Sequence, residues 1–264
     1  MILFCFGFFS LPFAFAFAQP NLADLQVEIP GGSFVPFDLA AKSAKQPKVL
    51  TSRSAAVASF SIDKLPVTNK DFLAFVKVNP EWRRSQIKKI IADSHYLQDW
   101  SSDLSLRYVD AASPVTRVSW FAATAYCESL NKTLPTTEQW EYALYNHGRQ
   151  LKQTNEKILA WYGKPNQKLI PHAGSVSKND FGVHDLGTSI WEWTEDFNSF
   201  LSATDMRSDG KDSNLFCGSG SQMGNPNDYA AFMRYSFRAS LQANYTTANL
   251  GFRCARKNEL ESAK

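Results

Sequence analysis

Leu134-Pro135-Thr136-Thr137-Glu138-Gln139-Trp140-Glu141-Tyr142-Ala143 reads as a helix entered through a capping box: Thr136 and Gln139 are three residues apart, so each side chain can satisfy the other's backbone N–H. The helix is expected to run to about Asn146, ahead of Gly148, with Trp140 and Leu144 facing the core. Two runs follow in order, Asp185-Leu186-Gly187-Thr188-Ser189-Ile190-Trp191-Glu192-Trp193 and Asn249-Leu250-Gly251-Phe252-Arg253-Cys254. Around them the chain beyond residue 160 is rich in Gly, Asn, Asp and Ser, which predicts loops and small strands.

Upstream, Ser119 can cap an amphipathic helix carrying Trp120, Ala123, Cys127 and Leu130 at helical spacing. Thr68 can cap another bearing Phe72, Phe75 and Val76. Pro80 is expected to open a second helical segment through Trp82, Ile87, Ile90 and Ile91, with Arg83, Arg84, Lys88 and Lys89 on a solvated face. Residues 19–57 read as strands broken by prolines and glycines, and Val57 to Ile62 as a further strand.

Met1 to Ala18 carries no charge and ends in Ala16-Phe17-Ala18, the pattern of a secretory signal peptide. This makes residues 1–18 a leader, residues 19–264 one domain, and the protein periplasmic or secreted, with no membrane span after cleavage. A net charge of +3 with no long basic run does not imply nucleic acid as a partner. Beyond the leader stand Cys127, Cys217 and Cys254, an odd number that leaves three pairings open. His95, His147, His172 and His184 are dispersed without H-x-x-x-H or H-E-x-x-H spacing, which argues against a zinc or non-haem iron centre.

The ordered series LPTxxQWEYA, DLxxxxWEW and NLGFRC resembles the formylglycine-generating enzyme (sulfatase-modifying factor) family, and Ile29-Pro30-Gly31-Gly32-Ser33-Phe34, Pro66-Val67-Thr68-Asn69 and Pro114-Val115-Thr116-Arg117-Val118-Ser119-Trp120 extend the likeness upstream. It implies the α+β, C-type-lectin-like fold of that family, with limited regular secondary structure. The Trp82-Arg83-Arg84 and Phe216-Cys217-Gly218 runs look most like an exported bacterial branch that includes the nitrite-reductase-associated accessory protein and the pyoverdine-maturation oxidase.

The resemblance also implies site residues. It pairs Cys127 with Cys254 and leaves Cys217 over, either as a reactive thiol in a Gly-Ser-Gly loop and weak catalytic candidate, or as a buried inert cysteine. The family oxidises a substrate cysteine with copper held by two thiolates, and an ungapped match puts those positions at about Asn225 and Ala230, which offer no soft ligand. A structural calcium site would fall on Asp185, Thr188, Ile190 and Glu192, through a side-chain oxygen, two main-chain carbonyls and the Glu192 carboxylate, with Thr188-Ser189 standing where the family has Gly-Asn. The alternative there is that the two carboxylates cap turns and pair with arginines. Tyr229, Arg234, Tyr235 and Arg238 fall in the family's groove segment and would bind an anionic or peptide ligand, unless the segment is a strand with two buried, salt-bridged arginines. Trp191 would line a ligand pocket or, with Trp193, join the core. The function implied is a maturation or accessory factor acting on a peptide-like or protein partner, with oxidative tailoring as its enzymatic form; the alternative is a noncatalytic lectin-like module that assists a metalloenzyme.

Overall fold

Alternation in Phe60-Ser61-Ile62-Asp63 turns Phe60 and Ile62 to one face. In the computed structural model, which describes residues 25–34, 54–145, 151–164, 169–198 and 226–257, this run is the central strand of the main sheet. Strand β1 (Gln26–Ile29) and strand β4 (Phe60–Asp63) pair antiparallel with Ile29 opposite Phe60, and β7 (Ala255–Lys257) flanks β4 with Ala255 opposite Ile62. Strands β2 (Gly32–Phe34) and β3 (Ala55–Val57) form a separate hairpin-like pair. The single strand expected over Val57 to Ile62 is therefore two strands. The chain breaks at Ala58-Ser59, where Gly31 lies so close that a Cβ on it would stand 3.1 Å from Ser59 N and from Val57 O.

Ile29, Phe60, Ile62 and Ala255 form one apolar core with Trp140, Ala143 and Leu144 of the helix entered at Thr136. A larger core is built on helix α1 (Asn69–Val78) and helix α2 (Trp120–Ser129), where Phe72, Phe75, Tyr126 and Phe252 meet at ring-centroid distances of 5.4–6.0 Å. Caps expected from the sequence set both helix starts: the Thr68 hydroxyl accepts from Asp71 N and the Ser119 hydroxyl from Ala122 N. A disulfide joins Cys127 of α2 to Cys254, with Cα atoms 5.6 Å apart. It ties α2 to the end of the main sheet across 127 residues, a closure worth about 4–5 kcal/mol in the chain-entropy account. Helix α3 (Thr137–Tyr145) has its capping box, Thr136 N donating to Gln139 Oε1 at 2.9 Å and Gln139 N to the Thr136 hydroxyl at 3.1 Å.

Two further expectations are corrected. Only Pro80–Trp82 is helical in the segment expected to continue as a helix to Ile91, and that as a single 3₁₀ turn. Arg83 spends its guanidinium on the carbonyls of Val76 and Lys77 at the end of α1, Arg84 on those of Gln98 and Trp100, and Asp103 captures Ser85 N, so local backbone groups are bound by side chains rather than by a helix ladder. Leu151–Tyr162, on which the sequence reading is silent up to residue 160, is a helix, α4. Pro226–Ala239 is also a helix, α5, packed on α4, where the sequence suggested a strand. The expected loops hold over 169–198, interrupted by strand β5 (Trp191–Glu192) parallel to β6 (Leu250–Gly251). Among the described residues, no helix is long and apolar enough to cross a membrane.

Candidate functional site

The three sequence runs that carry the resemblance meet at one buried carboxylate. Glu192 accepts from Arg253 Nε and Nη2, both at 2.8 Å, and from Trp140 Nε1 at 2.8 Å. Arg253 also donates to the carbonyls of Asp63, Lys64 and His184. A guanidinium this fully hydrogen-bonded offsets the cost of burying both charges and locks β4, α3, β5 and the segment before β7 together. Its role is architectural.

One residue along, Glu141 lies against α5. Its carboxylate accepts from Arg234 Nε and Nη2 at 2.8–3.1 Å and from Arg238 Nη1 at 2.7 Å, while Tyr145 also contacts Arg234. Burial alone would raise the Glu141 carboxyl, but the two guanidiniums outweigh it and hold it below the ordinary 4.5. Arg234 is only 1% exposed. The expectation that Arg234 and Arg238 reach out to an anionic ligand is corrected: they are the buried, salt-bridged pair, carried on a helix. Tyr235 is buried beside them, whereas Tyr229 is exposed on α5 and lines neither cavity described below.

Asp185 sits with φ 62° and gathers the 174–177 turn, accepting from Gly174 N at 2.5 Å, Val176 N at 3.0 Å and Ser177 N at 2.9 Å. The Thr188 hydroxyl is bonded to that of Ser177 at 2.7 Å, and the Ile190 side chain lies in the core. Calcium needs six to eight oxygens with spare lone pairs and uncompensated charge. Here Arg253 pairs with the Glu192 carboxylate and three backbone N–H groups hydrogen-bond the Asp185 oxygens, and the described residues contain no group of three or more metal-ligating acidic, His or Cys side chains. As folded, both carboxylates of this set are engaged within the protein, Glu192 by Arg253 and Asp185 by the 174–177 turn.

The copper positions do not fit that ion. Ala230 is buried on α5 and presents a methyl group, its carbonyl accepting from Arg234 Nη1 at 3.1 Å and from the Tyr162 hydroxyl at 3.4 Å. Asn225 and Cys217 lie outside the described residues. Both described cysteines are joined to each other.

What remains open to solvent is a groove. A cavity of about 700 Å³ is walled by Trp100, Tyr108, Pro114 and His172, with an ion pair between Asp99 and Arg117 (2.6 Å) and a contact between His172 and Asp110 (3.2 Å). The Ala112 N–H and His172 hold the Asp110 carboxyl below its ordinary value. Tyr108 is 70% exposed. A second cavity of about 190 Å³, between Trp161, Tyr162, Trp191 and Met233, shares Ile170, Pro171 and Ala248 with the first, so the two adjoin as a two-part channel. Trp191 thus lines a cavity, while Trp193 is fully buried in the core and donates to Val118 O at 2.9 Å. Sequence reading missed Asp99, Arg117, Trp161 and Tyr162. For the last two the signal was the adjacent aromatic pair Trp161-Tyr162 itself.

Residues 13–258 match the sulfatase-modifying factor enzyme 1-like domain. The chain belongs to that family. Among its relatives, the inactive C-alpha-formylglycine-generating enzyme 2 of Mus musculus is 27% identical over 252 residues, covering 77% of each chain. The formylglycine-generating enzyme of Streptomyces coelicolor is 25% identical over 301 residues and covers 93% of each. PvdO from Pseudomonas aeruginosa superposes with a TM-score of 0.50 at 15% identity, over 88% of this chain and 94% of that one, which supports the fold alone.

Proposed function

We propose that this protein is an exported maturation or accessory factor that holds a peptide-like or protein partner in the channel between Asp99 and Trp191, and that it does not generate formylglycine. One observation carries the reading: where the family's oxidase chemistry calls for a thiolate, Ala230 puts a buried methyl group against the core. Overall identity does not discriminate, because the relative named inactive and the one named as the enzyme are almost equally similar. The residue type at that position supports the reading. The channel supplies what a peptide partner needs instead: aromatic walls, an ion pair and a carboxylate at the surface, and room for several side chains. Thiol-based oxidative tailoring would rest on Cys217.

Selection from a displayed peptide library followed by titration of the chosen peptides tests this. Binding that is weakened at least tenfold by Tyr108→Ala, with the melting temperature unchanged, is the expected result, since Tyr108 is largely exposed and its truncation removes contact area without opening the core. Peptides that bind the Tyr108→Ala variant as well as the wild type would place the partner elsewhere.

A further inference from the structure

We infer that the segment from Lys77 to Ile90 is a docking face for an anionic phospholipid surface, with Lys88 and Lys89 meeting the headgroups and Val78 and Ile90 entering beneath them. The inference is independent of the channel proposed above and uses a different part of the chain.

Charge is concentrated there. Residues 77–90 hold five cationic side chains, Lys77, Arg83, Arg84, Lys88 and Lys89, against one carboxylate, Glu81, while the whole chain carries a net charge of only +3. The stretch therefore accounts for the entire positive excess. Asp103 brings a further carboxylate beside it, accepting from Ser85 N at 2.9 Å and from the Ser85 hydroxyl at 2.5 Å. The use made of the arginines decides the kind of partner. Arg83 is engaged on the carbonyls of Val76 and Lys77, and Arg84 on those of Gln98 and Trp100, so the side chains that supply planar, bidentate contacts in protein interfaces are occupied within the molecule. What faces solvent is Lys77, Lys88 and Lys89, all exposed and none in an ion pair among the described residues. Lysine is depleted from protein interfaces, and its ammonium, a hydrated point charge on a flexible stem, suits a diffuse layer of phosphate headgroups.

Exposed aliphatic side chains stand among those lysines. Four large hydrophobic side chains are at least 70% exposed among the described residues: Tyr108 and Leu169 wall the larger cavity, whereas Val78 and Ile90, each 77% exposed, line neither cavity. Val78 follows Lys77 in the chain and Ile90 follows Lys88 and Lys89. Local packing turns them outward, because Phe75 and Val76 at the end of α1, and then Trp82, Ile87 and Ala92, are the residues that pack in the larger core. Ile91 N and Ala92 N both donate to Lys88 O, at 2.8 and 3.1 Å, which closes a turn around Lys89 and Ile90. Arg83 stitches that region to α1, its side chain on the Val76 and Lys77 carbonyls and its own carbonyl accepting from Ile87 N at 3.0 Å. The lysines draw the face to an anionic surface, and the two aliphatic side chains gain by leaving water once there.

Sedimentation of the purified full chain with vesicles tests this, one set of phosphatidylcholine alone and one of phosphatidylcholine mixed equally with phosphatidylglycerol. Binding is expected on the anionic vesicles only, and it should weaken steeply as salt is raised. The double variant Lys88→Gln, Lys89→Gln should weaken it about twenty-five-fold, about fivefold for each cation removed, and Ile90→Ser about tenfold. Neither change should move the melting temperature, since all three side chains are exposed. Equal binding to both kinds of vesicle, or undiminished binding by the double lysine variant, would overturn the assignment; adsorption through the uncharged Met1 to Ala18 run would give that result. Charge-dependent binding that Ile90→Ser leaves at the wild-type level would overturn it too, and would make the face a surface for an acidic protein. Tyr108→Ala should bind vesicles as the wild type does, so failure of the docking face and failure of the peptide channel are read separately.

Discussion

Glu141 holds two guanidiniums with one carboxylate inside the smaller core, so its protonation is coupled to folding. Arg234→Ala removes a fully buried partner and should cost about 3–5 kcal/mol in urea unfolding, because it strands part of the Glu141 charge in a dry site. A surface contact would have left stability unchanged. The pH dependence follows from the direction of the shift. The folded carboxyl titrates below the ordinary 4.5, so its contribution is present above that value and is lost as pH falls through the folded pKa. Stability should therefore be level near neutrality and fall below about pH 4.5, and Glu141→Gln, already weakened at pH 7, should show a shallower acid limb. A parallel acid limb in the variant would show that other carboxylates dominate. At Asp185 and Glu192 the carboxylates are occupied by backbone N–H groups and Arg253, so millimolar calcium should leave the melting temperature unmoved; a calcium-dependent rise, abolished by Glu192→Gln, would contradict the geometry.

Strands β5 and β6 are only two residues each, and their pairing depends on Gly251. A Cβ there would stand 2.3 Å from Val115 O and 2.8 Å from Ile190 Cδ1, so Gly251→Ala must separate β6 from the segment ahead of α2. The expected loss is about 2–3 kcal/mol in chemical denaturation, with an unchanged melting curve as the contrary result. How far such elements could be read from sequence depended on what carried the period. Helices α1, α2 and α3 announced themselves through Thr68, Ser119 and Thr136 and through apolar residues three or four apart. Helix α5 did not, because its buried stripe is Ala230, Ala231, Arg234, Tyr235 and Arg238, and two of those five positions are arginines that score as surface. In α4 the stripe includes the buried Asn155. The Pro80 segment failed the other way: its apolar spacing looked helical, yet Ile90 is 77% exposed, and Arg83, Arg84 and Asp103 bind the backbone in turns. Of the candidate site, Trp191 was legible and the channel was not, since each cavity gathers residues far apart in the chain, Asn69, Tyr108 and His172 in the larger and Trp161, Trp191 and Met233 in the smaller.

Across the whole molecule, the runs that mark the family build its frame: Trp140, Glu192 and Arg253 form one buried network, and Cys254, next along the chain, ties the main sheet to α2. A chain can keep all of these and so keep the fold, while the chemistry depends on positions the frame does not need. Relatives named active and inactive accordingly cannot be told apart from this sequence by overall identity, 27% and 25%. The most direct test of the account is mass spectrometry of a Cys-x-Pro-x-Arg peptide incubated with the protein, copper and oxygen, beside a control without protein. The account predicts that the cysteine stays unconverted at the level of the control, because Ala230 gives copper no thiolate; formylglycine accumulating with successive turnovers would contradict it.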